Sequence, residues 1–434
     1  MDSLRETATR ILRKTLAEMA PDKLVSGAVS TDPESGAFRI GSLDTSFPAC
    51  TPVYVLGAGK AAAVMAKGLH EALGGSIRDG LIIAPAAVAA ENGRIGAIQV
   101  FPGSHPQPDD DTIASTLELV SVARSIPKEA LTIVLISGGA SALMELPAGK
   151  LTLDQLRTVY HELLRSGAPI QEMNTVRKQL SAVKGGRLLG MIPSQQVVSL
   201  LISDVPGDDP AFIASGPTTP DNTTPQDALH VLEKYGITDK IPREVTEYLT
   251  AASEQERGTY TGAHHTEIVG SSGIFANVAA GFCEEEGFET WTDSNQYDAP
   301  IEEVSDYIIG QVREHRKRTR EAFLFHGEST VQVSGDGRGG RNQHLALLLA
   351  TKITRRKRTL VMSVGTDGGD GNTDVAGAFA APDSVERAEA FGVSAEKHLK
   401  EFDAYHFFKS LGDLIFTGPT GNNVMDFQLI LIDS

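Results

Sequence analysis

Ser329-Thr-Val-Gln-Val-Ser-Gly-Asp-Gly-Arg-Gly-Gly-Arg-Asn-Gln343 carries an alternating β pattern into a glycine-rich turn with two arginines, and helical periodicity follows at once. Strand, glycine turn and helix in that order are the unit of an α/β sheet, whose ligands sit at the carboxyl ends of strands. Gly335, Gly337, Gly339 and Gly340 allow close approach of a ligand to the backbone. A helix opening near Asn342 offers N–H groups and the positive end of its dipole. Arg341 adds a planar fork for phosphate or carboxylate oxygens. The stretch reads as an anion site, with a solvated surface turn as the plain alternative.

Similar junctions recur on both sides of it. Pro52-Val-Tyr-Val-Leu-Gly-Ala-Gly-Lys60 is a short buried-type strand ending in a turn, before a helix over residues 61–73. Gly57-Ala-Gly-Lys60 is not a P-loop, which needs four residues between its glycines and Ser or Thr after the lysine. It meets the looser dinucleotide pattern through Gly57, Gly59 and Ala62, but the next strand, Gly80-Leu-Ile-Ile-Ala-Pro85, lacks the acid that would bind a ribose. Lys60 stands at the mouth of the turn, where it would meet a phosphate or solvent. Leu131-Thr-Ile-Val-Leu-Ile136 ends in Ser137-Gly-Gly-Ala-Ser141. There Gly138 and Gly139 bare the backbone, and the Ser137 and Ser141 hydroxyls suit donation to an anion; the spacing is not that of a nucleophile elbow. His105, in a proline-rich loop at 103–108, is a second candidate beside its reading as a capped loop histidine.

Asn174-Thr-Val-Arg-Lys-Gln-Leu-Ser-Ala-Val-Lys-Gly-Gly-Arg187 is cationic, and Arg177, Ser181 and Lys184 would share one helical face suited to a carboxylate or polyanion, or simply to solvent. The strand at 197–203 delivers Asp204-Val-Pro-Gly-Asp-Asp209 at its carboxyl end. Asp204, Asp208 and Asp209 have the oxygen ligands a divalent cation takes, and Asp204 could accept a hydroxyl proton. The strand at 360–364 ends in Gly365-Thr-Asp-Gly-Gly-Asp-Gly-Asn-Thr-Asp374, which fails the EF-hand pattern; Asp367 reads as a metal-binding or hydroxyl-orienting carboxylate. A last glycine turn at 413–423 precedes an edge-like strand at 427–432.

The 434 residues exceed one ordinary core of roughly 100–200 residues, so two α/β domains with largely parallel sheets are expected, divided as 1–262 and 263–434. Apolar content of 41% and charged content of 22% are those of a globular chain. A net charge of −17 gives no general field for nucleic acid or anionic lipid, so an anion needs a local cluster. Cys50 and Cys283 lie far apart and read as reduced thiols. No apolar run is long enough for a membrane span, and the charged N-terminal residues do not suit a signal peptide; a cytoplasmic protein is expected. The basic run Arg355-Arg-Lys-Arg358 reads as a solvated connector.

With these blocks in hand the sequence resembles the glycerate 2-kinase family, the class II glycerate kinases with a C-terminal MOFRL domain. The resemblance rests on Gly57–Lys60, Ser137–Ser141, Asn174–Gly186, Ser203–Asp209, Ile213–Thr218, Gly337–Gln343, Gly365–Gly371 and Gly412–Val424, in family order over nearly the whole chain. It implies a Rossmann-like N-terminal and a MOFRL-type C-terminal domain facing across a cleft, with ATP and Mg2+ phosphorylating D-glycerate to 2-phosphoglycerate. Lys60 and Arg341 would then neutralise the transferring phosphoryl group, and Asp204 and Asp367 would bind metal or orient the hydroxyl. Gly57, Gly59, Ser137, Gly138, Gly139, Ser141, Arg177, Lys184, Gly339, Gly340, Asn342 and His344 would bind substrate or nucleotide. A homodimer is one arrangement this allows. The chain departs from the family pattern at His344 for Glu, Asn372 for Pro, Ala140 for Gly and Asn422 for Thr, which leaves the acceptor open, a four-carbon sugar acid included. The competing readings are an NAD(P)H-dependent hydroxypyruvate or tartronate semialdehyde reductase and a sugar-acid sensor without turnover.

Overall fold

The computed structural model describes residues 2–252, 260–316, 320–353 and 358–433; the basic residues 355–357 and most of the polar stretch expected near the domain boundary lie outside them. The chain forms two compact units, one of residues 21–203 and 208–269, the other of 1–20, 204–207 and 270–434.

Short apolar runs rich in β-branched residues become the strands of the first unit: β1 (Val53–Ala58), β2 (Ile77–Pro85), β3 (Arg94–Ile95), β4 (Ile98–Gly103), β5 (Leu131–Ile136), β6 (Gln196–Ile202) and β7 (Ala263–Gly270). β5 is buried along its whole length, so its sequence is a continuous apolar run and not an alternating one. Among the described residues the sheet order is β3-β4-β2-β1-β5-β6-β7. The pairs β1–β2, β1–β5, β2–β4 and β5–β6 are parallel, and β3–β4 is antiparallel. The chain leaves β1 toward β2 and β4, then returns on the other side of β1 as β5. The carboxyl ends of β1 and β5 therefore flank the reversal of strand order, the place where open α/β sheets bind ligands. Helix Ala62–Leu73 buries Met65, Ala66 and Leu69, and the helices Leu153–Arg165, Ile170–Leu180, Pro225–Lys234 and Arg243–Ala251 share an apolar cluster around Leu156, Leu163, Val176 and Leu232.

The second unit is built on β8 (Glu289–Pro300), β9 (Arg320–Thr330), β10 (Thr359–Gly365), β11 (Gly377–Ala380), β12 (Leu414–Ile415) and β13 (Asp426–Asp433), in the order β8-β9-β13-β10-β11-β12 among the described residues. β8 and β9 are parallel; β13 lies antiparallel between β9 and β10, and β11 and β12 continue antiparallel. The largely parallel character expected of both sheets thus belongs to the first, and the second is mixed. The last strand causes the difference. Expected at an edge, β13 runs through the middle of the sheet with Asp426 to Ile432 buried. Helix Arg341–Lys352 covers this sheet, its Leu345 and Leu349 packing with Phe323, Phe325, Val361 and Ile430.

Two boundaries also differ from expectation. The alternation at 331–334 is loop, because β8 pairs with β9 no further than Pro300 with Thr330, and β13 no further than Asp426 with Gly327. The amphipathic helix Asp2–Glu18 belongs to the second unit and β7 to the first, so the division lies near 269/270 instead of 262/263. The helix buries Leu4, Ala8, Ile11 and Leu12 and is pinned by Arg5 to Asp413 at 2.6 Å and Arg10 to Glu286 at 2.7 Å. An apolar stripe must be covered, but its own sequence does not say by what. Among the described residues no helix is long and apolar enough to cross a membrane.

Candidate active site

In the first unit the loops after β1 and β5 are tied to each other. Lys60 N–H donates to the Gly138 carbonyl at 2.9 Å, Ser137 N–H to the Ala58 carbonyl at 3.2 Å, and Ala61 N–H to Ser137 Oγ at 3.0 Å. Gly59, at φ +142°, leaves no room for a side chain, since a Cβ would stand 2.1 Å from Ser137 Oγ. A Cβ on Gly139 would stand 3.1 Å from His105 Cδ2 and 3.2 Å from Lys60 Cγ and Cε, so both side chains lie over this turn. Partial burial, then the Lys60 charge, lowers the His105 pKa and favours a neutral ring. Ser141 Oγ lies 3.0 Å from Ser215 Oγ, which donates to Asn174 Oδ1 at 2.9 Å; Ala214 and Ser215 hold left-handed backbone, φ +54° and +60°. Lys60, His105, Gly139, Ser141, Ser215 and Asn174 thus form one polar rim at the strand-order reversal.

Three residues expected at this rim have other work. Gly57 lies inside β1, where a Cβ would meet the Leu135 carbonyl at 2.4 Å, so its glycine serves strand packing. The helix bearing Arg177 ends at Leu180, which breaks the face expected to join Arg177, Ser181 and Lys184. Lys184 is fully buried against Glu145 Oε2, which also accepts the Tyr160 hydroxyl at 2.8 Å, while Glu145 Oε1 accepts the Leu146 N–H at 3.0 Å. Burial lowers the Lys184 pKa and Glu145 opposes the shift. Lys184 is therefore an internal counter-ion. Arg177 is half-buried with its guanidinium 5.2 Å from the Tyr160 ring centre.

In the second unit the glycine turn is closed by protein acceptors. Gly337 N–H donates to the Glu401 carbonyl at 2.9 Å, Arg338 N–H to Asp403 Oδ1 at 3.0 Å and Gly339 N–H to Asn372 Oδ1 at 3.0 Å. Asp370 takes the helix N-terminus: the N–H groups of Asn342 and Gln343 donate to its two oxygens at 3.0 and 2.8 Å, and Gln343 Nε2 adds a contact at 2.8 Å. A Cβ on Gly340 would stand 2.3 Å from Asp370 Oδ1. Gly340 and the helix dipole thus serve an internal carboxylate, where the sequence suggests an open anion cradle. Asn342 is committed too, its side chain donating to Asp426 Oδ1 at 2.8 Å and accepting from Ser363 at 2.9 Å.

What remains for a ligand is Arg341. Its Nε meets Asp426 Oδ2 at 2.6 Å and its Nη1 pairs with Glu328, while Nη2 is unclaimed among the described residues. Burial works against the guanidinium charge, but Asp426 and Glu328 hold its pKa above the ordinary arginine value. Burial pushes the Asp426 carboxyl up to about 7, against the pull of Arg341 and Asn342. Arg341 lines a cavity of about 570 Å³ with His344, Asp367, Phe402, Asn423, Met425 and Asp426. Asp367 is exposed and accepts the Gly369 N–H at 3.0 Å through Oδ1. Asp204 follows β6 directly, groups with the second unit and does not line this cavity. Among the described residues no three carboxylate, histidine or cysteine side chains are gathered into a metal cage. Sequence reasoning missed Asp370, Asp426 and Glu328 as partners of the arginine loop. For Asp370 a signal existed, as the second aspartate of the quoted glycine turn; Asp426 lies just before the strand expected at 427–432 and drew no reading.

Residues 7–250 match the family described as domain of unknown function DUF4147, and residues 321–426 match the MOFRL family. The chain is 35% identical to D-glycerate 2-kinase of Thermotoga maritima over 436 residues, 99% of each chain. It is 37% identical over 385 residues to an Agrobacterium vitis protein provisionally named hydroxypyruvate reductase, covering 87% of this chain and 86% of that one. The crystal structure of glycerate kinase from Thermotoga maritima superposes with a TM-score of 0.87 at 33% identity over all of both chains. With this agreement in sequence and fold from end to end, the chain belongs to the glycerate 2-kinase family.

Proposed function

We propose that the chain is a kinase that moves the γ-phosphoryl group of ATP to the C2 hydroxyl of D-glycerate, releasing the hydroxyl proton and forming ADP and 2-phospho-D-glycerate. The observation that carries this reading is the full-length likeness to D-glycerate 2-kinase, with Lys60 and Arg341 each on a glycine turn of its unit. Phosphoryl transfer needs positioned cations more than a covalent nucleophile. Lys60, lying over Gly139, and the unclaimed Nη2 of Arg341 are such cations. Ser137, Gly138 and Ser141 would hold phosphate or carboxylate oxygens. Asp367 would hold Mg2+, which fits an exposed carboxylate on a cavity wall, since this ion commonly takes one or two carboxylates beside phosphate oxygens. When bound, the ion supplies charge neutralisation of the phosphates. Asp204 is proposed to orient the acceptor hydroxyl.

The reductase reading draws on the names of two Agrobacterium vitis relatives and on the Gly57-x-Gly59-x-x-Ala62 turn. It is disfavoured by β2, which ends in Ala84 and Pro85 where a nicotinamide site needs a ribose-binding acid. Purified chain with ATP, Mg2+ and D-glycerate should release ADP, with 2-phosphoglycerate identified by phosphorus NMR. NADH oxidation with hydroxypyruvate and no ADP release would reverse the choice.

A further inference from the structure

His344 opens no route to solvent: it is 5% exposed, in the first turn of helix Arg341–Lys352, and its ring stacks on Phe402 with centroids 4.8 Å apart and planes 11° from parallel. Its Nδ1 is buried and has no hydrogen-bond partner among the described residues, a costly state for a polar atom. Burial lowers its pKa, with Glu302 opposing, so the ring is held toward neutrality. Both rings line the 570 Å³ cavity that also holds Arg341. Phe402 is only partly buried, and it reaches the cavity from left-handed backbone at φ +54°; Met425 on the same wall is at φ +69°. Non-glycine residues in this region carry strain that persists where the surroundings demand it, and here two of them meet at one cavity.

The chemistry of the wall selects its occupant. Asp367, Asp370 and Asp426 outnumber Arg341 on the lining, which disfavours seating a bare hydroxy acid anion deep in the cavity. The volume lies in the range of pockets for ligands much larger than a three-carbon acid. A flat neutral heterocycle suits the cavity side of a stacked aromatic pair. Arg341 lies three residues before His344 on the same helix, so a phosphate subsite would adjoin a ring subsite. We propose that the His344–Phe402 wall receives the purine base of the nucleotide, with Phe402 as the stacking face and the His344 ring packed behind it. This rests on the ATP-dependent reading above.

The test is direct binding to the full chain by calorimetry, with ADP as the probe and inorganic pyrophosphate as the base-free probe. The wild-type chain should bind ADP at least about tenfold more tightly than pyrophosphate, as loss of a base–aromatic contact predicts. Phe402→Ala, and Phe402→Leu, which keeps bulk but removes the aromatic face, should each weaken ADP about tenfold while pyrophosphate binding stays within twofold. Thermal unfolding checks that each variant is folded, and the wild-type comparison stands if one is not. Equal affinity for ADP and pyrophosphate, unchanged ADP affinity in folded variants, or weakened D-glycerate binding in place of ADP would each overturn the proposal. Because these are binding measurements, a chain that binds ADP through this wall but releases no product from D-glycerate would sink the kinase reading and leave the base site standing.

Discussion

Lys184→Met replaces a buried ammonium by an apolar chain of similar length and leaves the Glu145 carboxylate at the centre of the first unit without its counter-ion. Both side chains are essentially inaccessible, at 1% and 0% exposure, so water cannot screen what remains. Removing one partner of a buried pair costs about 3–5 kcal/mol. The Tyr160 hydroxyl and Leu146 N–H still donate to Glu145, which places this case near the lower end. About 3 kcal/mol corresponds to a fall in Tm of roughly 6–12 °C for a unit of this size. Adding Glu145→Gln should recover most of the loss at pH 7. Thermal unfolding at pH 7 measures both variants, and ADP release at a temperature well below Tm checks that substrate KM values move little. An unchanged Tm with a raised KM for either substrate would refute the reasoning and return Lys184 to the ligand-facing role its sequence neighbourhood suggests.

The remaining expectations concern the two glycine turns. Lys60→Ala and Arg341→Lys should each lower kcat by at least about a hundredfold, as loss of one preorganised charge stabiliser does; near-wild-type turnover in either, read by ADP release, would remove that residue from the mechanism. Gly59→Ala must push a Cβ into Ser137 Oγ, 2.1 Å away, and should lower both Tm and activity, whereas Gly236→Ala, at positive φ but with no neighbour within 4 Å, should change activity little. Asp426, pushed up to about 7 by burial, loses its charge as pH falls through that value, and with it one of the two carboxylates that fix Arg341. A kcat profile should therefore show a limb near pH 7 that is absent from the uniformly slower Asp426→Asn enzyme.

Much of this architecture is legible because α/β strands end in glycine turns for steric reasons that show in the sequence. Gly59 and Gly139 are small because Ser137, His105 and Lys60 crowd them. Lys60 and Arg341 could be found because they follow such turns. What stayed hidden depends on long-range partners. The free N–H groups of the Arg341–Lys352 helix looked like a ligand site until Asp370, 28 residues further on, was found bonded to them. β13 has the polar ends of an edge strand, yet Tyr297 reaches Gln428 at 2.6 Å and Arg341 reaches Asp426, which lets those polar groups lie mid-sheet. The helix Asp2–Glu18 shows its apolar stripe but not its neighbour, so its assignment to the second unit could only come from coordinates. His344 stood out as a departure from family pattern with an expected ligand-binding role, but its stacking on Phe402, 58 residues later, could not be read from the sequence.

The most direct trial of the central claim is a substrate panel of short hydroxy acids with ATP and Mg2+, read by ADP release and by phosphorus NMR of the product. The account predicts that D-glycerate is phosphorylated at C2 and that Lys60→Ala and Arg341→Lys abolish most of that signal. Phosphorylation confined to another acid would contradict the assigned acceptor, and NADH-dependent reduction of hydroxypyruvate without ADP formation would contradict the kinase itself.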